Sequence, residues 1–128
     1  MDDHTRSSRL LPLRCTASRP RPQVCVAHLE GELDMATAPI VAEHLREHTA
    51  TRPTELILDL GGVTLLAAAG LELIVRARNN NDGIHGRLHL IGVTGNPPVE
   101  RVLRLTGLIP FLDVHDDLQA LLDTLPRQ

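Results

Sequence analysis

The sequence holds no tryptophan and no tyrosine, and its single phenylalanine is Phe111. A core without aromatic rings has to be assembled from Leu, Val, Ile and Ala, which supply most of the 42% apolar content. The same absence removes the stacking platforms on which single-stranded nucleic acids are usually held. Lysine is missing as well, so all 13 basic residues are Arg. Five of these Arg fall within residues 1–23, against Asp2 and Asp3, and the remainder of the chain carries eight Arg against 14 acids. A net negative folded part argues against a nucleic-acid surface. No apolar run approaches the roughly 18 residues of a membrane-spanning helix. The opening Met1-Asp-Asp-His-Thr-Arg-Ser-Ser-Arg9 lacks the apolar segment of a secretory signal. A cytoplasmic protein without membrane contact is expected.

Serine is confined to Ser7, Ser8 and Ser18. No serine therefore sits in a nucleophile elbow beside a base. The two cysteines, Cys15 and Cys25, have neither a CxxC nor another metal-ligand spacing. A disulfide across a hairpin is geometrically conceivable, but both are read as reduced, small hydrophobes.

What the 128 residues do contain is an alternation of strand and helix patterns. Residues 1–9 read as a disordered head and residues 10–128 as one domain. Leu10–Thr16 is expected to be a strand and Ser18–Pro22 a loop, with Val24–Glu30 forming the second arm of a hairpin. Gly31-Glu32-Leu33-Asp34 breaks that strand. Thr37 and Pro39 begin a helix with Val41, Leu45 and His48 along one side. Leu56–Leu60 reads as a buried parallel strand ending in a Gly61-Gly62 turn. A helix from about Ala68 follows, with Leu71, Ile74, Val75 and the stem of Arg78 on its apolar face. Asn79–Gly83 stops it. Arg87–Val93 is the next strand, and Asn96 caps a helix that Gly107 ends. Phe111–His115 is a short last strand. Asp116 caps a final helix striped by Leu118, Leu121, Leu122 and Leu125. Such an order implies an α/β fold with a small mixed, mostly parallel sheet of four to five strands and about four helices.

Candidate chemistry is sparse. His44-Leu-Arg-Glu47-His48 fits H-x-x-E-H, a zinc-peptidase pattern. A catalytic zinc needs a third protein ligand, and nothing in the sequence marks one out, so the pair reads as part of a solvated face. His28, His85, His89 and His115 are scattered without ligand spacing. Gly92-Val-Thr-Gly95-Asn96 lies between a strand and a helix and reads as an ordinary turn. No enzyme, cofactor or metal is expected.

The most informative stretch is Ala67-Ala68-Ala69-Gly70, at a strand-to-helix junction. Helix starts expose free amides and a positive dipole end, and Ser, Thr, Asp or Asn usually cap them. Three alanines occupy this one. Taken with Gly31-Glu32-Leu33-Asp34, Leu58-Asp-Leu-Gly-Gly-Val-Thr64, Gly70-Leu71 and Val102-Leu-Arg-Leu-Thr-Gly-Leu108, the chain resembles the anti-sigma-factor antagonist family, built on the STAS domain, over about residues 10–125. The resemblance implies a non-enzymatic module that binds an anti-sigma factor of the serine-kinase type and so frees a sigma factor for transcription. In that family the kinase phosphorylates a serine within Asp-Ser-Ser-Gly, which aligns with Ala67–Gly70. Ala69 takes the phosphoacceptor position, so control by phosphorylation there is lost. Thr64 nearby reads as a buried or capping hydroxyl, with an alternative phosphosite as the other reading. The implied contact surface is Gly31, Glu32, Asp34, Thr64, Ala67, Ala68, Ala69, Gly70, Glu72, Arg76 and Asn80. Neither nucleic acid nor membrane is expected as a partner, and a weak homodimer fits the reading. A divergent scaffold or ligand-sensing module in a larger regulatory assembly is the alternative.

Overall fold

The computed structural model describes residues 13–126. The head at residues 1–9 and the expected strand residues 10–12 lie outside them. The elements are β1 (Leu13–Arg21), β2 (Val24–Leu33), α1 (Ala38–His48), β3 (Glu55–Leu66), α2 (Ala68–Arg78), β4 (Arg87–Ile91), α3 (Pro97–Leu105), a 3-10 turn (Ile109–Phe111) and α4 (Leu118–Thr124). The sheet order is β1-β2-β3-β4. β1 and β2 form an antiparallel hairpin, whereas β2–β3 and β3–β4 are parallel. The sheet is thus mixed and mostly parallel, as the alternation of patterns implied.

Side-chain alternation divides the sheet into two unequal faces. Cys25, Ala27 and Leu29 of β2, Leu56, Leu58 and Leu60 of β3, and Leu88 and Leu90 of β4 face α1, α2 and α3. The opposite face holds Val24, Val26, Ile57 and Ile91 under Leu121 and Leu122 of α4 and Leu125 just beyond it. All of these are aliphatic or small, so the core closes without an aromatic ring.

Several boundaries differ from expectation. β1 runs on to Arg21 through the expected Ser18–Pro22 loop. As an edge strand it leaves one side of its backbone unpaired, where Pro20 costs no ladder bond. The pairing accommodates this by shifting register between Ser18 and Arg21. β2 is likewise unbroken at Gly31 and ends at Leu33.

Gly61-Gly62 is not a turn, because β3 passes straight through it. These glycines serve close approach instead. A Cβ on Gly62 would lie 2.6 Å from Glu30 Cγ, and one on Gly92 would lie 2.2 Å from Gly61 N. The packed face of α2 is Gly70, Leu73, Ile74 and Ala77. Leu71 and Val75 are half-buried and Arg78 is exposed, so the stripe is rotated from the expected one.

Asn96 sits at the N-cap of α3 without capping it. Its side-chain amide donates to the carbonyls of Leu60 (2.8 Å) and Val63 (3.1 Å), tying the helix start to β3. At α4 the cap is Asp117, one residue after the expected Asp116, with its carboxylate accepting from Ala120 N at 2.8 Å. The expected strand at Phe111–His115 contracts to a single parallel bridge, Leu90 with Val114. The 3-10 turn through Pro110 precedes it and the α4 cap follows at once, leaving no room for a longer ladder.

Candidate functional site

β2 and β3 end side by side, and both lead into helices. Leu33 pairs with Leu66, Glu32 with Leu65, and Gly31 with Val63. Thr64 has no partner in this register and forms a bulge, with its side chain exposed. The parallel pairing therefore brings Gly31, Glu32 and Asp34 beside the Thr64–Gly70 junction, although about 30 residues of sequence separate them.

Asp34 has a structural duty at this corner. Its Oδ1 accepts from the amides of Ala36 (3.0 Å) and Thr37 (3.1 Å). Thr37, the N-cap of α1, donates its hydroxyl to Glu32 O at 2.8 Å and accepts from Asp34 N at 2.9 Å. The α1 start is therefore held to the end of β2 by a closed set of bonds, and Asp34 is half-buried. Glu32, in contrast, is exposed.

Ala67 is the N-cap of α2, with extended φ −101° and ψ 178° and no side-chain hydrogen bond. Its amide donates to Leu33 O at 2.9 Å, and its carbonyl accepts from Gly70 and Leu71. Ala67 and Ala69 are half-buried, and Ala68 is exposed. Gly70 is required by space. A Cβ there would lie 2.7 Å from Leu66 Cδ1, 2.8 Å from Leu33 Cγ and 2.9 Å from Leu33 O. The missing carbon lets the first turn of α2 rest on the ends of β2 and β3. No side-chain hydroxyl occurs from Ala67 through Arg78, so the start of α2 can neither accept a phosphoryl group nor cap itself.

From this start a groove of about 450 Å³ runs between α1 and α2. Ala38, Pro39 and Ala42 form one wall, and Ala69 and Leu73 form the other. Glu72, Arg76 and Asp82 make a charged rim, with Arg76 3.6 Å from Glu72 and 3.7 Å from Asp82. Asn80 lies past the end of α2 with φ 57°, outside the groove lining. Met35, 82% exposed, stands at the mouth, and Ile40 is 51% exposed on α1. Sequence reasoning missed Met35, Arg46 and Ile40. The available signal was that Met35 and Ile40 fall off the Ala38, Val41 and Leu45 stripe.

The histidines also redistribute. His44 and His48 stack with ring centroids 6.1 Å apart. His89 and His115, scattered in sequence, meet at 5.7 Å beside Asp113. Cys15 and Cys25 are free thiols. Burial pushes the Cys15 thiol up to about 11, reinforced by the neighbouring Cys25, and burial also raises Cys25. Among the described residues, no helix is long and apolar enough to cross a membrane.

The family model for the STAS domain matches residues 17–121. The chain is 37% identical over 100 residues to the anti-sigma-F factor antagonist RsfB of Mycobacterium tuberculosis, covering 74% of this chain and 79% of that one. It superposes with a TM-score of 0.74 on the crystal structure of an anti-sigma factor antagonist from Mycobacterium paratuberculosis, at 24% identity, covering 87% of this chain and 92% of that one. The anti-sigma factor antagonist SpoIIAA, solved in its unphosphorylated form, gives a TM-score of 0.67 at 17% identity, covering 89% of this chain and 100% of that one.

Proposed function

This chain belongs to the STAS domain family, and from that premise we propose that it is an anti-sigma factor antagonist whose binding is not switched off by phosphorylation at the start of α2. It acts without catalysis, in the cytoplasm, as one domain over residues 10–128. Its partner is an anti-sigma factor of the serine-kinase type, and a weak homodimer is compatible with that role. The contact surface consists of Gly31, Glu32, Asp34, Thr64, Ala67, Ala68, Ala69, Glu72, Arg76 and Asn80, with Gly70 buried beneath it as the seat of α2 and Met35 added as an apolar anchor.

What supports this reading is the corner where β2, β3 and the start of α2 meet, combined with alanine at the position that the resemblance aligns with the phosphoacceptor. Gly70 seats the first turn of α2 on Leu33 and Leu66, which fixes the backbone of this corner. A phosphate would bring about −1.5 to −2 charges and three acceptor oxygens. Beside the exposed Glu32 and Glu72, it would raise the cost of burying the surface against a partner. Ala69 cannot carry that charge. The antagonist is accordingly held in its binding form.

The test is to mix the full chain with serine-kinase anti-sigma factors and ATP. Complex formation and phosphate incorporation are then followed together. A complex that persists with no incorporation is expected. Ala69→Ser should take up phosphate and release the kinase, and Ala69→Glu should bind at least about tenfold more weakly. Incorporation into the wild-type chain that disappears in Thr64→Ala would move the switch to the β3 bulge. Absence of a complex with every such kinase would overturn the antagonist reading.

A further inference from the structure

We propose that His89, Asp113 and His115 form a binding site for one Zn²⁺ ion, on the sheet face opposite the α1–α2 groove. Among the described residues these are the one group of three His, Cys, Asp or Glu side chains whose ligand atoms converge, all within 4.8 Å of one another.

The convergence follows from backbone geometry. Asp113 and His115 flank Val114 in an extended segment, so their side chains share a face. Leu90 N donates to Asp113 O at 2.8 Å, and His115 N donates to Leu90 O at 2.9 Å. This bridge sets the pair against β4 on the side where His89 projects. The sequence separates His89 from Asp113 by 24 residues, which hides the set from any motif search.

Three features distinguish the cluster from a chance contact. First, the chemistry is that of a zinc ligand set. Two imidazoles and a carboxylate suit this borderline cation, and three protein ligands leave a fourth position for water or a partner's group. Second, His89 is oriented from behind. Its Nε2 lies 2.7 Å from Glu55 Oε1, and that oxygen also receives Arg87 Nε at 3.2 Å. A carboxylate on one ring nitrogen directs the other at the metal, and here the other nitrogen, Nδ1, faces Asp113 Oδ2.

Third, His115 Nε2 is buried without a hydrogen-bond partner, although Asp113 Oδ2 lies 3.1 Å away. A buried nitrogen is costly to leave unpaired, and coordination would satisfy it. Access is not a barrier. The side chain of His89 is only 2% exposed, but that of Asp113 is 52% exposed, so the ion reaches a dry imidazole from the carboxylate side.

The bound ion would join β4 to the segment leading into α4, and so fasten the smaller apolar cluster from its edge. The inference does not depend on the antagonist reading, since none of its residues lies on the α1–α2 side.

The experiment uses the full chain stripped with EDTA and titrated with Zn²⁺ against a chromophoric chelator. Co²⁺ serves as a spectroscopic substitute. One equivalent of Zn²⁺ and an intense tetrahedral Co²⁺ spectrum are expected, with a rise in thermal midpoint. His115→Ala and Asp113→Ala should each weaken binding at least tenfold. Glu55→Gln should weaken it about 10–100-fold while keeping the stoichiometry. The His44→Ala/His48→Ala pair should bind as the wild type does. Substoichiometric Zn²⁺, wild-type affinity in His115→Ala and Asp113→Ala, or loss of binding in the His44→Ala/His48→Ala protein would each overturn the proposal.

Discussion

Ala67 and Gly70 lie three residues apart and answer to opposite constraints. Ala67 has the extended backbone of an N-cap and lacks only the side-chain acceptor. Ala67→Asp should therefore raise unfolding free energy by about 1 kcal/mol, measured by urea titration. Gly70 has no such freedom, because its absent Cβ is the clearance between α2 and Leu33. Gly70→Ala should cost about 1–3 kcal/mol in the same titration, although alanine is the better helix former. The thiols supply a third expectation at this scale. With Cys15 pushed from 9.0 to about 11, its thiolate at pH 8 falls about 100-fold below that of an unshifted thiol. Alkylation of the native protein should be correspondingly slow. The unfolded chain ionises first, near 9, and the folded chain follows only near 11. The contribution of Cys15 to stability should therefore be fully present below pH 9 and be lost between pH 9 and 11.

At the scale of elements, Asn96 is the clearest case of a side chain whose work lies outside its own helix. Its amide satisfies two carbonyls of β3 at the point where Gly61 and Gly62 pass close to neighbouring backbone. Asn96→Ala should cost about 1–3 kcal/mol by leaving those carbonyls unpaired. Asn96→Asp, which would restore a cap but cannot donate, should not recover the loss. The same residue marks the limit of what local sequence reveals. That Asn96 precedes a helix is legible from Asn-Pro; that it bonds to β3 is not, because the bond spans 36 residues. Gly61-Gly62 misleads in the same way, since a pair that locally signals a turn is selected here by what lies against it. The parallel order was readable from the alternation of patterns, and the three leucines of α4 with Leu125 after them from their spacing. The exposure of Met35 and Ile40 was readable from their place off the α1 stripe, whereas the His89–Asp113–His115 convergence was not, because it depends on a backbone bridge between segments distant in the chain.

Across the whole molecule the two sheet faces are unequally insured. Three helices cover one face, and only the seven residues of α4 close the other. Local opening should therefore begin at α4. Native-state hydrogen exchange should find the amides of Leu118–Thr124 exchanging faster than those of α1 and α2. Added Zn²⁺ should narrow that gap if the ion fastens the preceding segment.

The outer edge of β1 has a further consequence. A sheet edge is a template on which a second chain can extend the ladder, and that is how folded proteins begin to polymerise. Here Pro20 removes a donor from the row, and the register shift at Ser18–Arg21 spoils its flatness. Arginines on either side are clamped to helices on different faces. Arg19 donates to Thr51 Oγ1 just beyond α1, and Arg21 donates to Leu122 O in α4. The stretch that reads locally as a loop is thus a strand made unfit for copying. A regulator that must keep its binding surface free for a partner is, by this device, barred from templating fibres of itself.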